Sequence, residues 1–155
     1  MNSMDSAMKT LNLMELEAVK KRYPNVPYPV ATKHSDRTAN GLTKGIIAFL
    51  RLSGHQAERI SVTGRRIDRR VEYTDVLGHR RQIGSVEWIP SSMQKGTADI
   101  SATINGKSVK IEVKIGRDRQ GQAQKAYQQQ VEAAGGLYMI ATELQQFVDW
   151  YEKMQ

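Results

Sequence analysis

The 155-residue chain contains no cysteine, which excludes disulfides and thiolate zinc sites. Its three histidines, His34, His55 and His79, lie far apart, and no two have metal-ligand spacing. No apolar run approaches the roughly 18 residues needed to span a membrane. The first residues lack the basic start and apolar stretch of a secretory signal. These absences predict a cytoplasmic protein with no membrane partner. The length suits one domain with room for a core.

What is present is positive charge. The formal net charge is +7 and the sequence pI about 9.7. A basic excess favours polyanionic partners, nucleic acid first and an acidic membrane surface second. The excess is concentrated between Arg59 and Arg81, where seven arginines stand against Asp68, Glu72 and Asp75. Within it, Arg65, Arg66, Arg69, Arg70, Arg80 and Arg81 read as phosphate contacts on loops punctuated by Gly64, Gly78 and Gly84. The planar guanidinium donates two parallel hydrogen bonds to a phosphate. The alternative is a solvated hairpin whose arginines pair with the three acids. Trp88 and Trp150 read as core, because neither sits in a basic aromatic cluster.

Hydrophobic spacing predicts an N-terminal arm over 1–36, a helix over 5–22 followed by an extended stretch containing Pro24, Pro27 and Pro29. The arm can pack on the body, join a dimer or stay apart. A compact domain over 37–155 follows. Thr38 caps a helix running to Leu52, with Leu42, Ile46, Phe49 and Leu50 on one stripe. Strands are predicted at "QAERISV" and "SVEWI". A hairpin comes next, then a helix over 119–134 closed by Gly135-Gly136, a short buried strand "LYMIAT", and a last helix from Glu143 to Lys153. A helix between the hairpin and "LYMIAT" implies a crossover. The fold class is therefore α/β, a mixed central sheet flanked by helices.

The hairpin carries the chemistry. A two-residue Asn105-Gly106 turn is the strongest short hairpin signal. It sets Ala102 opposite Val109 and Ile100 opposite Ile111 on a core face. Ser101 then faces Lys110, and Asp99 faces Glu112, on the other. A slip of one residue would scramble both faces. Two carboxylates about 5 Å apart across a ladder repel one another. A divalent cation such as Mg²⁺ or Mn²⁺ offsets that repulsion and accepts phosphate oxygens as further ligands. Lys114 shares the face. Its ammonium can position or deprotonate a water, or stabilise charge building on a phosphate. Together these groups suit phosphodiester hydrolysis. Equally, Lys110 or Lys114 can neutralise the acids with no metal at all.

The run "GTADI", then "KIEVK", then "QGQAQKAYQQQVEAAGGLYMIA" resembles the PD-(D/E)xK nuclease superfamily, and within it the virus-type replication-repair nuclease (VRR-NUC) group of phage and mobile-element proteins. The likeness covers roughly Gly96 to Thr142. It implies a restriction-endonuclease-like core and metal-dependent cleavage of DNA in the cytoplasm of a host cell. It implies that Asp99, Glu112 and the backbone carbonyl of Val113 bind Mg²⁺ or Mn²⁺, and that Lys114 acts on the attacking water or the transition state. Gln124 matches the glutamine that assists at the site, although Gln120, Gln124 and Gln128 also form an i, i+4 polar row. Stand-alone domains of the group are able to pair, so a homodimer is expected. Three positions depart from the pattern. Ala98 replaces the proline, and Gly121 stands where a small hydroxyl residue is expected. Residues 38–53 supply no acid, although Asp36 and Glu58 flank them. A catalytically inactive nucleic-acid-binding protein on the same fold is the alternative function, and an adaptor working through the arm is a third.

Overall fold

The Asn105-Gly106 turn sets the sheet. Both residues have positive φ, 48° and 79°, the backbone a type I′ hairpin requires. The structure is a computed structural model that describes residues 4–61, 63–91 and 93–155. Strands β6 (Ile100–Ile104) and β7 (Lys107–Val113) pair with Ile100 opposite Ile111, Ala102 opposite Val109 and Ser101 opposite Lys110. This is the register the turn predicts. Strand β1 (Gln56–Arg59) adds antiparallel to β6, and β8 (Leu137–Ala141) adds parallel to β7. The sheet is mixed, in the order β1-β6-β7-β8. Two parallel neighbours need a crossover, and helix α3 (Gln122–Ala133) supplies it.

One face of this sheet is apolar. Ile100, Ala102, Ile104, Val109 and Ile111 are at most 2 % exposed. Helices α1 (Met4–Arg22), α2 (Ala39–Leu52) and α4 (Leu144–Glu152) share their cluster. Thr38 caps α2, its Oγ1 accepting from the Gly41 amide at 3.1 Å. The predicted stripe of Leu42, Ile46, Phe49 and Leu50 is buried, each large apolar side chain contributing about 1.5–3 kcal/mol. Ala7 and Leu11 of α1 enter the same cluster. Phe49 meets Phe147 of α4 edge to face at 6.1 Å. Among the described residues, no helix is long and apolar enough to cross a membrane.

Residues 61–95 form a separate unit from 1–60 and 96–155. Here the structure corrects the sequence reading. The arginine-rich stretch contains strands: β2 (Arg65–Asp68) pairs with β5 (Val86–Ile89), and β3 (Val71–Thr74) with β4 (Arg80–Ile83), all antiparallel. The Arg69 amide donates to the Ser85 carbonyl at 3.0 Å, tying the two ladders end to end. Arg65, Arg66, Arg80 and Arg81 therefore lie on strands. Strand β5 lies within the predicted "SVEWI", but β2, β3 and β4 were read as loops because each is four residues long and both faces of β3 and β4 are exposed, so no apolar face is buried to mark them. Trp88 is corrected too. It pairs across the ladder with Arg66 and is 63 % exposed.

Candidate functional site

The second face of the four-stranded sheet is polar, and α3 packs there. Alternation puts Ser101, Lys110 and Glu112 on this face, since their neighbours Ile100, Ala102, Val109, Ile111 and Val113 all point into the core. Asp99 precedes β6 by one residue. Its Oδ2 accepts from the Val113 amide at 2.9 Å, which ties the start of β6 to the end of β7. Its charge is felt at Glu112. The two acids thus meet at one end of the hairpin.

Glu112 is 3 % exposed. Its Oε1 accepts from the Gln124 side-chain amide and from Lys114 Nζ, the latter at 3.1 Å. Its Oε2 is buried with no hydrogen-bond partner among the described residues. Burial, and then the Asp99 charge, push its carboxyl above the ordinary range, while the Lys114 contact opposes them. Burial pulls the Lys114 ammonium down, but its bonds to Glu112 and Asp118 outweigh that and the net shift is upward. Lys114 is therefore a cation at neutral pH.

Gln124 is held from both ends. Its Oε1 accepts from the Gly121 amide at 2.9 Å, one half of a capping box at the start of α3, and its amide nitrogen reaches Glu112. The polar row separates accordingly. Gln120 donates to Gln128 at 2.9 Å and Gln128 to Glu132 at 2.8 Å, leaving Gln124 to face the sheet. Gly96 lets α3 come this close. Its φ is +82°, and a Cβ there would stand 2.3 Å from the Ala123 carbonyl.

A metal fits this donor set on one observation: Glu112 presents a desolvated carboxylate oxygen with no hydrogen-bond partner among the described residues. No group of three or more His, Cys, Asp or Glu is arranged around a metal position among the described residues. Mg²⁺ needs only one or two carboxylates, completing its shell with waters and phosphate oxygens.

No protein-family model matches this chain, and neither a curated protein nor a solved structure does.

Asp36 is taken up at the start of α4, whereas Glu58 shares the sheet face that carries Glu112. Asp36 Oδ2 accepts from the Leu144 amide at 3.3 Å, at the start of α4. Glu58 sits opposite Ser101, on the polar face of β1. The sequence reading missed Asp118. A turn from Ile115, closed by the Asp118 amide at 3.2 Å, returns its carboxylate to within 3.2 Å of Lys114 Nζ. Nothing in the spacing of "KIGRD" announces this, because the i, i+4 rule belongs to helices and this is a turn. Also unanticipated is Tyr138, opposite Lys110, whose hydroxyl is buried beside the Gln120 side chain. Its pKa is pushed up to about 12 by burial and by Glu112.

In the separate unit, four of the six candidate arginines carry ion pairs: Arg66 and Arg70 with Asp68, Arg69 with Glu87, and Arg81 with Asp75. Arg65 and Arg80 form none among the described residues.

Proposed function

We propose that the protein is a Mg²⁺- or Mn²⁺-dependent DNA endonuclease of the PD-(D/E)xK kind, with a restriction-endonuclease-like core and an affinity to the VRR-NUC group. The observation that carries the reading is the orphaned Oε2 of Glu112, buried beside Asp99 and Lys114 at the end of two paired strands. Asp99, Glu112 and the Val113 carbonyl would hold the ion. The ion would supply a polarised water and charge neutralisation on the scissile phosphate.

The chain's own residues have distinct tasks. Asp99 fixes the backbone at Val113, so that the C-terminal end of β7 is rigid where the ligands diverge. Gln124 orients Glu112 Oε1 and leaves Oε2 for the ion. Lys114, charged at neutral pH, suits stabilisation of a phosphate oxyanion better than removal of a proton from water. The arginines of residues 61–95 supply nucleic-acid affinity, with Arg65 and Arg80 the most available. Trp88 beside Arg66 adds an exposed aromatic face.

The test is a panel of linear, branched and single-stranded DNAs with Mg²⁺ or Mn²⁺, run beside Glu112→Ala and Lys114→Ala. Cleavage that stops with chelator and in both variants, while folding survives, supports the reading. Intact binding without cleavage under any divalent metal defeats it. That outcome would favour a nucleic-acid-binding protein without activity, for which the Lys114–Glu112 contact already offers an acid neutralised inside the protein.

A further inference from the structure

Helix α2 has a second stripe. Its inward residues fill the core, but Lys44, Ile47, Ala48 and Arg51 follow i, i+3, i+4, i+7 spacing along another side. This side lines a groove of about 540 Å³, within the range of small-molecule sites. The opposite wall is the chain after the prolines, Thr32 to His34, together with Glu15 and Arg22 of α1. The wall is anchored. The His34 amide donates to Asn12 Oδ1 at 3.2 Å, and His34 Nε2 lies 2.9 Å from Glu15 Oε1.

The charge of this groove differs from that of the arginine-rich unit. Arg22, Lys44, Arg51 and Arg59 converge on it, and none forms an ion pair among the described residues. Glu15, the carboxylate in the lining, faces His34. Two of the arginines are nonetheless fixed. Arg51 Nε donates to the Ala57 carbonyl at 2.9 Å, and Arg59 Nη1 to Asn40 Oδ1 at 2.6 Å. Neutral acceptors orient these guanidinium groups without cancelling their charge. Such groups lose little freedom when they take up an anion. The floor between the cations is apolar, formed by Ile47, Ala48 and Leu52.

We propose that this groove is a nucleotide-binding site. The base lies against Ile47, Ala48 and Leu52, and the phosphate is gripped by Lys44, Arg51 and Arg59, with Arg22 at the rim. The same chemistry is presented by a free nucleotide and by the phosphorylated end of a nucleic-acid strand. The groove lies on α2, which covers the apolar face of the sheet, whereas Glu112 lies on the polar face. The proposal is thus independent of the metal-site reading.

The test is calorimetric titration of the whole chain with AMP, adenosine and a short 5′-phosphorylated single-stranded oligonucleotide. The variants are Lys44→Glu and Arg59→Ala, with Lys107→Ala, an exposed residue at the hairpin turn outside the groove lining, as a control. Lys44 and Arg59 are exposed, and melting curves verify that the variants fold. Binding of AMP, with adenosine and both groove variants roughly tenfold weaker or worse, supports the proposal for a free nucleotide. The same losses seen only with the oligonucleotide assign the site to a strand end. In either case Lys107→Ala binds as the wild type does. Adenosine binding as tightly as AMP overturns the proposal, and so does binding of both phosphorylated probes that is unmoved by Lys44→Glu and Arg59→Ala, or no binding of any probe.

Discussion

Glu112→Gln distinguishes a buried ion pair that holds the fold together from a carboxylate kept for a ligand. The amide is nearly isosteric, so cavity effects are absent. Breaking a buried pair costs about 3–5 kcal/mol when the surviving charge is stranded. Lys114 would not be stranded: it keeps Asp118 at 3.2 Å, and that carboxylate is more than half exposed. Against this loss stands a gain. The substitution removes a charge whose formation burial and Asp99 both resist. The expected change in stability at neutral pH is therefore within about 1 kcal/mol. The pH dependence has a definite sign. Because folding raises the Glu112 pKa above its ordinary 4.5, the wild type gains most relative to the variant below that value. It loses the advantage as pH rises through the folded pKa. A divalent ion at about ten times its Kd would add about 1.4 kcal/mol to the wild type alone, or about 3–6 °C in the unfolding midpoint for a chain of this size. Thermal unfolding of both proteins, with and without Mg²⁺ at acid and neutral pH, reads all three quantities. A variant destabilised by about 3 kcal/mol, beside a wild type that Mg²⁺ does not shift, would refute the reasoning.

Gly96→Ala forces an L-residue into left-handed backbone, about 1–2 kcal/mol, and drives a Cβ against the Ala123 carbonyl. We expect a lower unfolding midpoint and, as α3 retreats and Gln124 leaves Glu112, reduced cleavage; an unchanged midpoint counts against the close approach. Tyr138→Phe deletes a buried hydroxyl beside Gln120 and should change stability by less than about 1 kcal/mol in urea unfolding, whereas a larger loss would show that the Gln120 contact holds the start of α3 to the sheet. Arg65→Gln combined with Arg80→Gln should flatten the salt dependence of DNA binding by roughly 0.9 in log–log slope for each phosphate no longer neutralised. Arg70→Gln should do less, since Arg70 makes two side-chain bonds to Asp68; equal effects would show that the internal pairs open on binding.

The parts of the fold that were legible share one property: a local signal and a long-range one agree. Asn105-Gly106 fixes a turn, and the alternation of Val109, Ile111 and Val113 independently fixes the same register. Thr38 and the stripe ending at Leu50 agree in the same way for α2. Residues 61–95 offered no second signal. Their strands bury little, so apolar spacing carries no information about which face is inward, and Trp88 was read as core because no basic cluster surrounds it in sequence, whereas the ladder sets it opposite Arg66. At the site, strand alternation placed Glu112 and Lys114 on one face. Asp118 and Gly96 act across turns and between elements, where spacing in sequence says nothing about distance.

The charges of the site argue for what it accommodates. Three carboxylates, Asp99, Glu112 and Asp118, stand with a single ammonium, Lys114, and the charges of Asp99, Asp118 and Lys114 all act on Glu112. Asp118 is more than half exposed and solvent screens it, which leaves two acids, Glu112 and Asp99, against one close ammonium. An ion pair built only for stability has no need of the surplus, because each extra carboxylate near a buried one raises the cost of its ionisation. Lys110, another cation on this face, keeps its charge while its Nζ donates to the neutral Ser101 Oγ at 2.6 Å, and Arg119 and Lys125 line the pocket that holds Lys114 and Asp118, but among the described residues none of the three is paired with Glu112. A cation at the unpartnered Glu112 Oε2, with Asp99 beside it, would relieve the repulsion between the two acids directly. A divalent ion attracts the two acids more strongly than a monovalent one, so Na⁺ or K⁺ at equal ionic strength should not reproduce the stabilisation expected from Mg²⁺.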